Sequence, residues 1–447
     1  KQGPPLGQVG GGPEVMPDLW CSCWGPGSAD IHDELDRHPI LVLPGIDDAK
    51  NASPTDTQVP STEGTLPGAS PQSVGGRTPP PPSQAHSVAS ISTIDPSVDA
   101  ALRRLPCEVR DALIEAETQR LQGYPFQAEK AVHALITRLA GEGQEELIEE
   151  VKETMAYQGL VAQMTEVNET LDTLLDDKGW LLQTTTEGIH VWTRAEPGTD
   201  LVTVRLAGVV DGPFDHFCAI GKEIQLIKTW MPGVKTSYVV SSLNTFDQIG
   251  YYAWKFWGIT GRDFLIEEKS LINDTEGYIV VKRYPPPQRE GVTLPDLQKN
   301  HIRAAVSDWC SFSAPIGVNA KGERVNFSVT VMRVDLKIPL PTRLVNYLSV
   351  NMGANSFKDL RKNVHKSQET CSPFHRSVHD PNFEAYYGRM RGLEQARNGK
   401  PVDCLKEILE TGWIQDPAER RKIFARTEDV LVPMKAPDPV IARQSSR

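Results

Sequence analysis

Ten histidines and seven cysteines are spread through the 447-residue chain, and their spacing supports neither a metal centre nor a nucleophilic site. Cys21, Cys23, Cys107, Cys218, Cys310, Cys371 and Cys404 include no CxxC pair, so they read as free thiols of a reducing compartment. His375 and His379 stand four apart, but the flanking Pro373 and Pro381 and the lack of a third ligand speak against a metal. No nucleophile or metal partner stands at a recognisable spacing from His190, His216, His301 or His365, and no GxSxG, P-loop or HExxH pattern occurs. The chain therefore reads as non-enzymatic, with no cofactor and no metal. Its remaining polar chemistry lies in charges set among apolar strands, namely Arg262, Asp263 and Arg303. Two readings stand for these: a structural Arg262–Asp263 pair that fixes the preceding loop, or an inward arginine that meets a phosphate or hydroxyl group of a ligand. An isolated buried arginine is costly and needs one or the other.

Composition narrows the partners. The net charge is -11 and the pI about 5.5, which excludes a general nucleic-acid binder. No apolar run is long enough for a membrane span. Roughly 28 of the first 96 residues are Pro or Gly, the composition of disordered chain, so residues 1–96 are expected to be a tail.

The elements that would position the charged residues follow from periodicity. Residues 97–171 read as a helical segment, with Pro106 marking a kink or a first turn. A third helix is expected from Gln144, and its seam Met164, Val167, Leu171 and Leu174 has coiled-coil spacing, which offers homodimerisation through 144–176. From Trp180 the period changes to two. Strands are expected at 180–183, 189–194, 201–210, 235–243, 247–256, 263–272, 277–284, 301–312 and 325–337, with helical turns at 212–228. On 247–256 one face carries Gln248, Tyr252, Trp254 and Phe256; on 301–312 Arg303, Ser307 and Trp309 share a face. A long helix after Pro339 and Pro341 presents Leu344, Leu348 and Met352, then Leu360 and Val364. The expected class is α+β: a curved antiparallel sheet wrapped around one long C-terminal helix, the helix-grip arrangement. A charged helical extension is expected over 367–431 and a disordered end over 432–447.

Several stretches, in order, resemble the START family of lipid-transfer domains over 172–366, about 195 residues. They are Lys178-Gly-Trp180, Gly188 to Arg194, Trp230, Phe246 to Tyr252, and above all Thr260 to Phe264, which matches the family's Ser-x-Arg-Asp-Phe. His301 to Arg303 with Trp309, Val334 to Pro339, and Asn351 to Asn363 complete the set. Met231, Asp308 and the long stretch Pro285 to Asn300 depart from the family pattern. The resemblance implies a tunnel that holds one lipid, which could be a phospholipid, a sterol or a ceramide-like molecule, for transfer or sensing. Its expected lining is Arg262, Asp263, Arg303, Tyr252, Trp254, Trp309, Leu344, Leu348 and Met352. Trp257 and Ile259 fall on the family's loop beside the tunnel mouth and are expected to gate it or touch a membrane transiently. A cytoplasmic protein, peripheral at membranes, is implied. Two alternatives stay open: an interaction scaffold that uses the domain as a platform, and a helix-grip enzyme acting on a hydrophobic substrate.

Overall fold

The computed structural model describes residues 100–199, 201–255, 260–337, 342–398 and 405–424, with the backbone alone over 342–349 and at 398 and 422. The tails expected at 1–96 and 432–447 lie outside the described residues, as do Phe256, Trp257 and Ile259. All described residues belong to one compact unit.

Five helices come first: α1 (Ala100–Arg104), α2 (Cys107–Leu121), α3 (Pro125–Gly141), α4 (Glu145–Glu153) and α5 (Met155–Leu175). Pro106, with φ -52° and ψ 149°, separates α1 from α2, because a proline cannot continue the helix that precedes it. The expected third helix is in fact two. Thr154 takes extended dihedrals, and its hydroxyl accepts from the Tyr157 N–H at 3.3 Å, so it ends α4 and caps α5. The seam Met164, Val167, Leu171 and Leu174 is 0–2% exposed inside this same chain. Self-association through it is therefore corrected: the seam faces the sheet and the neighbouring helices, not solvent.

The strands follow as β1 (Leu181–Thr186), β2 (Ile189–Ala195) and β3 (Val202–Asp211). Then come α6 (Phe214–Lys222), a 3-10 segment at Ile224–Thr229, and β4 (Val234–Ser242), β5 (Asp247–Trp254), β6 (Gly261–Asn273) and β7 (Tyr278–Tyr284). β8 (His301–Arg303), β9 (Ala305–Val318) and β10 (Arg324–Asp335) complete the sheet. Glu187 and Gly188 both have positive φ, 52° and 68°, the two-residue turn that suits the twist of the β1–β2 hairpin. The order across the sheet is β1-β2-β3-β10-β9-β7-β6-β5-β4, antiparallel between neighbours. The strand expected at 301–312 is split. β8 pairs in parallel with the start of β6, beyond the end of the β6–β7 ladder, while β9 pairs with β7 and β10. A register shift between Arg333 and Val334 of β10 also breaks the simple alternation of β9.

The sheet is covered on both faces. Its inner, gripping face meets α7 (Thr342–Ser367), α6, α8 (Pro373–Val378) and α9 (Glu384–Asn398). Val350, Ala354, Phe357, Leu360 and Val364 form the face of α7 that does so. Its outer face is covered by α5 and the other N-terminal helices together with α10 (Leu405–Thr411) and α11 (Pro417–Phe424). Trp413, between α10 and α11, is 2% exposed beside Trp192 and Phe327. Phe424 stacks on Phe327, with ring centroids 4.9 Å apart. Each such buried aromatic contributes on the order of 2–3 kcal/mol. The architecture is α+β helix-grip, with an outer helical jacket drawn from both ends of the described chain.

Candidate functional site

β6 sends its odd and even residues to opposite faces. Leu265 and Leu271 join outer-face clusters, while Phe264, Ile266 and Ile272 join the clusters on the gripping face. Glu268 lies in the second row, 1% exposed, two residues from Ile266 and beside the buried Ser270 of the same row. Directly opposite it in register stands Arg283 of β7. The guanidinium donates to the Glu268 carboxylate at 2.8 Å, reaches Ser311 Oγ at 3.4 Å, and lies 5.1 Å from the Trp309 ring. Gln248 of β5 donates to Glu268 at 3.1 Å, and Lys222 Nζ lies 4.0 Å from it. Lys222 also donates to the Phe246 carbonyl at 3.0 Å. Burial lowers the Lys222 pKa, and Glu268 opposes that trend. The neighbouring Glu223 is pushed up by burial although Tyr387 and Gln225 donate to it. Desolvating such ions costs several kcal/mol each, and an apolar replacement is often as stable; a charged row of this kind inside a ligand-sized fold is a candidate site.

Apolar residues lead away from this row. Tyr252 stacks on Phe264 at 4.6 Å and 11°, and Ile224, Ile266 and Val306 belong to the same cluster, with Trp309 and Trp254 half-buried against it. Among the described residues the Tyr252 hydroxyl makes no hydrogen bond, and burial raises its pKa. Trp254 Nε1 donates to the Pro232 carbonyl at 2.9 Å.

The residues expected from sequence divide between the two faces. Tyr252, Trp254 and Trp309 come together on the gripping face. Arg262, 1% exposed, gives its donors to the carbonyls of Leu336 and Thr260 and, at 2.9 Å, of Lys337. It thereby ties the chain just after residue 259 to the chain just before residue 338. The expected Arg262–Asp263 pair does not form, because neighbours on a strand point to opposite faces. Asp263 instead takes Arg303 in a two-pronged ion pair, 2.7 and 3.0 Å, and Arg303 also reaches the Pro295 carbonyl at 3.3 Å. That pair anchors the long 285–300 stretch, whose Val292 and Leu294 cover Ile249, Tyr251 and Leu265 on the outer face. Met352 is half-buried, off the Val350–Val364 stripe of α7; the side chains of Leu344 and Leu348 lie outside the described residues. Glu268, Arg283, Lys222 and Glu223 were not singled out from sequence. One signal was present: Glu268 shares the even positions of its strand with Phe264, Ile266 and Ile272.

Among the described residues, no group of three or more His, Cys, Asp or Glu side chains is placed to hold a metal ion, and no helix is long and apolar enough to cross a membrane.

Comparison with known proteins gives a likeness of fold. Human StAR-related lipid transfer protein 5 is 20% identical, with a TM-score of 0.41, covering 47% of this chain and 100% of that one. Human STARD10 is 18% identical, TM-score 0.40, covering 48% and 88%. A STAR-related lipid transfer protein from Xanthomonas axonopodis is 21% identical, TM-score 0.35, covering 42% and 99%. No protein-family model and no curated protein matches the sequence. The assignment to the helix-grip class rests on the strand order and on the packing of α7 described above.

Proposed function

We propose that this chain binds one lipid molecule, without chemistry, in a chamber between the gripping face of the sheet and α7. The observation that carries the reading is the buried row Glu268, Arg283, Gln248 and Lys222, set at one end of an apolar surface built from Tyr252, Phe264, Ile266 and Trp309. A few convergent polar groups among apolar and aromatic residues are the usual character of a small-molecule pocket. Apolar burial alone supplies about 0.8 kcal/mol per methylene, and the polar row fixes orientation.

Charge balance favours one ligand class. Lys222 and Arg283 are offset by Glu268 and Glu223 in the same cluster. A phosphate would add a negative charge with no cation left over to receive it. An uncharged hydroxyl head, as in a sterol, a diacylglycerol or a ceramide, donates to Glu268 and accepts from Gln248 or Arg283 without disturbing that balance. The Arg262 clamp holds the two segments that flank residues 256–259 and 338–341. Release of that clamp would open the chamber at a membrane, the transient contact expected of a cytoplasmic carrier.

The test is uptake of a fluorescent sterol or diacylglycerol from neutral vesicles by the full chain, and its delivery to acceptor vesicles. Saturable uptake of one molecule per chain supports the proposal. Absence of uptake for uncharged and phosphate-bearing lipids alike would remove it, and preference for the phosphate-bearing lipids would remove the charge argument.

A further inference from the structure

α9 lies beyond the 172–366 stretch that carries the family resemblance, yet it reaches the polar row of the gripping face. Tyr386 and Tyr387 are 3% and 0% exposed. Tyr387 donates its hydroxyl to Glu223, next to Lys222. The Lys222 ammonium lies 5.3 Å from the Tyr386 ring centroid, and that ring packs 6.0 Å from Phe246. Behind these tyrosines the helix is bolted down. Arg389 pairs with Asp274, donates to the Gly123 carbonyl at 3.0 Å and lies 3.6 Å over the Tyr124 ring. Arg391 meets Asp215 at 3.3 Å, and Arg397 donates to the Glu276 carbonyl. α9 is thus held to the β6–β7 turn, to α6 and to the N-terminal helices while its tyrosines back the charged row.

We propose that α9 is the floor of the ligand chamber, that Tyr386 sets its depth, and that Tyr387 is a positioning residue that holds Glu223 beside Lys222. The inference rests on the lipid-binding reading. A fixed floor limits ligand length whichever end of the lipid enters first, because lowering it lengthens the chamber in either case. Two buried tyrosines bring both bulk and a polar handle to such a position, where leucines would bring bulk alone.

The experiment offers the full chain an equimolar series of saturated fatty alcohols that differ by two carbons. Retained alcohols are isolated with the protein by size exclusion, extracted and weighed by mass spectrometry, for the wild type and for Tyr386→Leu, Tyr386→Trp and Tyr387→Phe. Tyr386→Leu is expected to favour longer alcohols, by roughly fourfold for each extra methylene it admits, and Tyr386→Trp to favour shorter ones. Tyr387→Phe is expected to keep the wild-type length preference while weakening all members of the series by a similar factor. The tryptophan variant keeps the test decisive if the leucine variant fails to fold. A wild type with a length preference that neither Tyr386 variant moves overturns the floor assignment and leaves lipid binding standing. A wild type that retains no alcohol of any length overturns the floor, and if it also takes up no sterol, diacylglycerol or phosphate-bearing lipid from vesicles, lipid binding falls with it.

Discussion

Removing Arg283 tests the buried row most sharply. In Arg283→Met the Glu268 carboxylate, 1% exposed, loses its 2.8 Å partner and keeps only Gln248 at 3.1 Å and Lys222 at 4.0 Å. Breaking one side of a buried pair costs about 3–5 kcal/mol, because the remaining charge is left uncompensated. Replacing both sides with apolar residues of similar volume is often close to neutral. The double variant Glu268→Leu with Arg283→Met should therefore unfold within about 1 kcal/mol of the wild type, and be more stable than Arg283→Met alone by about 2–4 kcal/mol. Urea unfolding followed by tryptophan fluorescence measures all three chains. The same double variant should lose uptake of a hydroxyl-bearing lipid while remaining folded, which separates the row's role in binding from its role in stability. If Arg283→Met costs less than about 1 kcal/mol, the pair is solvated and the argument from buried charge fails.

Further expectations follow from other parts of the molecule. Burial raises the Glu129 carboxyl to about 7 from 4.5, and among the described residues its Oε1 has no hydrogen-bond partner. Between those values the unfolded chain ionises this group while the folded chain keeps it protonated, so stability falls as pH rises through the window. Glu129→Gln should add at most about 3 kcal/mol above pH 7, less what solvent screens at its partly exposed edge, and little below pH 4.5; equal gains at both pH values in thermal melts would contradict this. Trp413→Ala removes a 2% exposed ring wedged between Trp192, Phe327, Arg205 and Arg420, and should cost about 3–5 kcal/mol in chemical denaturation. Gly412 has φ +77°, and a Cβ there would lie 2.0 Å from the Gly188 carbonyl oxygen; Gly412→Ala should loosen α10 and α11 and speed proteolysis C-terminal to residue 398. Arg303→Gln should free the 285–300 stretch to proteolysis without changing lipid uptake, since the Asp263 pair is on the outer face; loss of uptake would return Arg303 to the site.

Element placement was largely legible because turns and periods are local signals. Gly188 marks a hairpin by its freedom at positive φ, and the β5 alternation is visible residue by residue. The site was less so. Arg262 and Asp263 are adjacent in sequence and were read as partners, but a period of two sends them to opposite faces. Glu268 and Arg283 are fifteen residues apart and meet only through strand register. Thr154 reads as helix interior until its hydroxyl is seen to cap α5. The C-terminal extension reads as charged and helical, but its packing partners do not follow from its own sequence. Its apolar residues find partners such as Trp192, about 220 positions earlier in the chain than Trp413, and no local pattern encodes that distance.

The central claim is one lipid held without covalent chemistry. Native mass spectrometry of the full chain, purified without detergent and then incubated with mixed neutral and phosphate-bearing vesicles, tests it directly. The account predicts a single added mass per chain, removed by organic extraction and matching an uncharged, hydroxyl-bearing lipid. A chain that keeps its bare mass through both steps would contradict it.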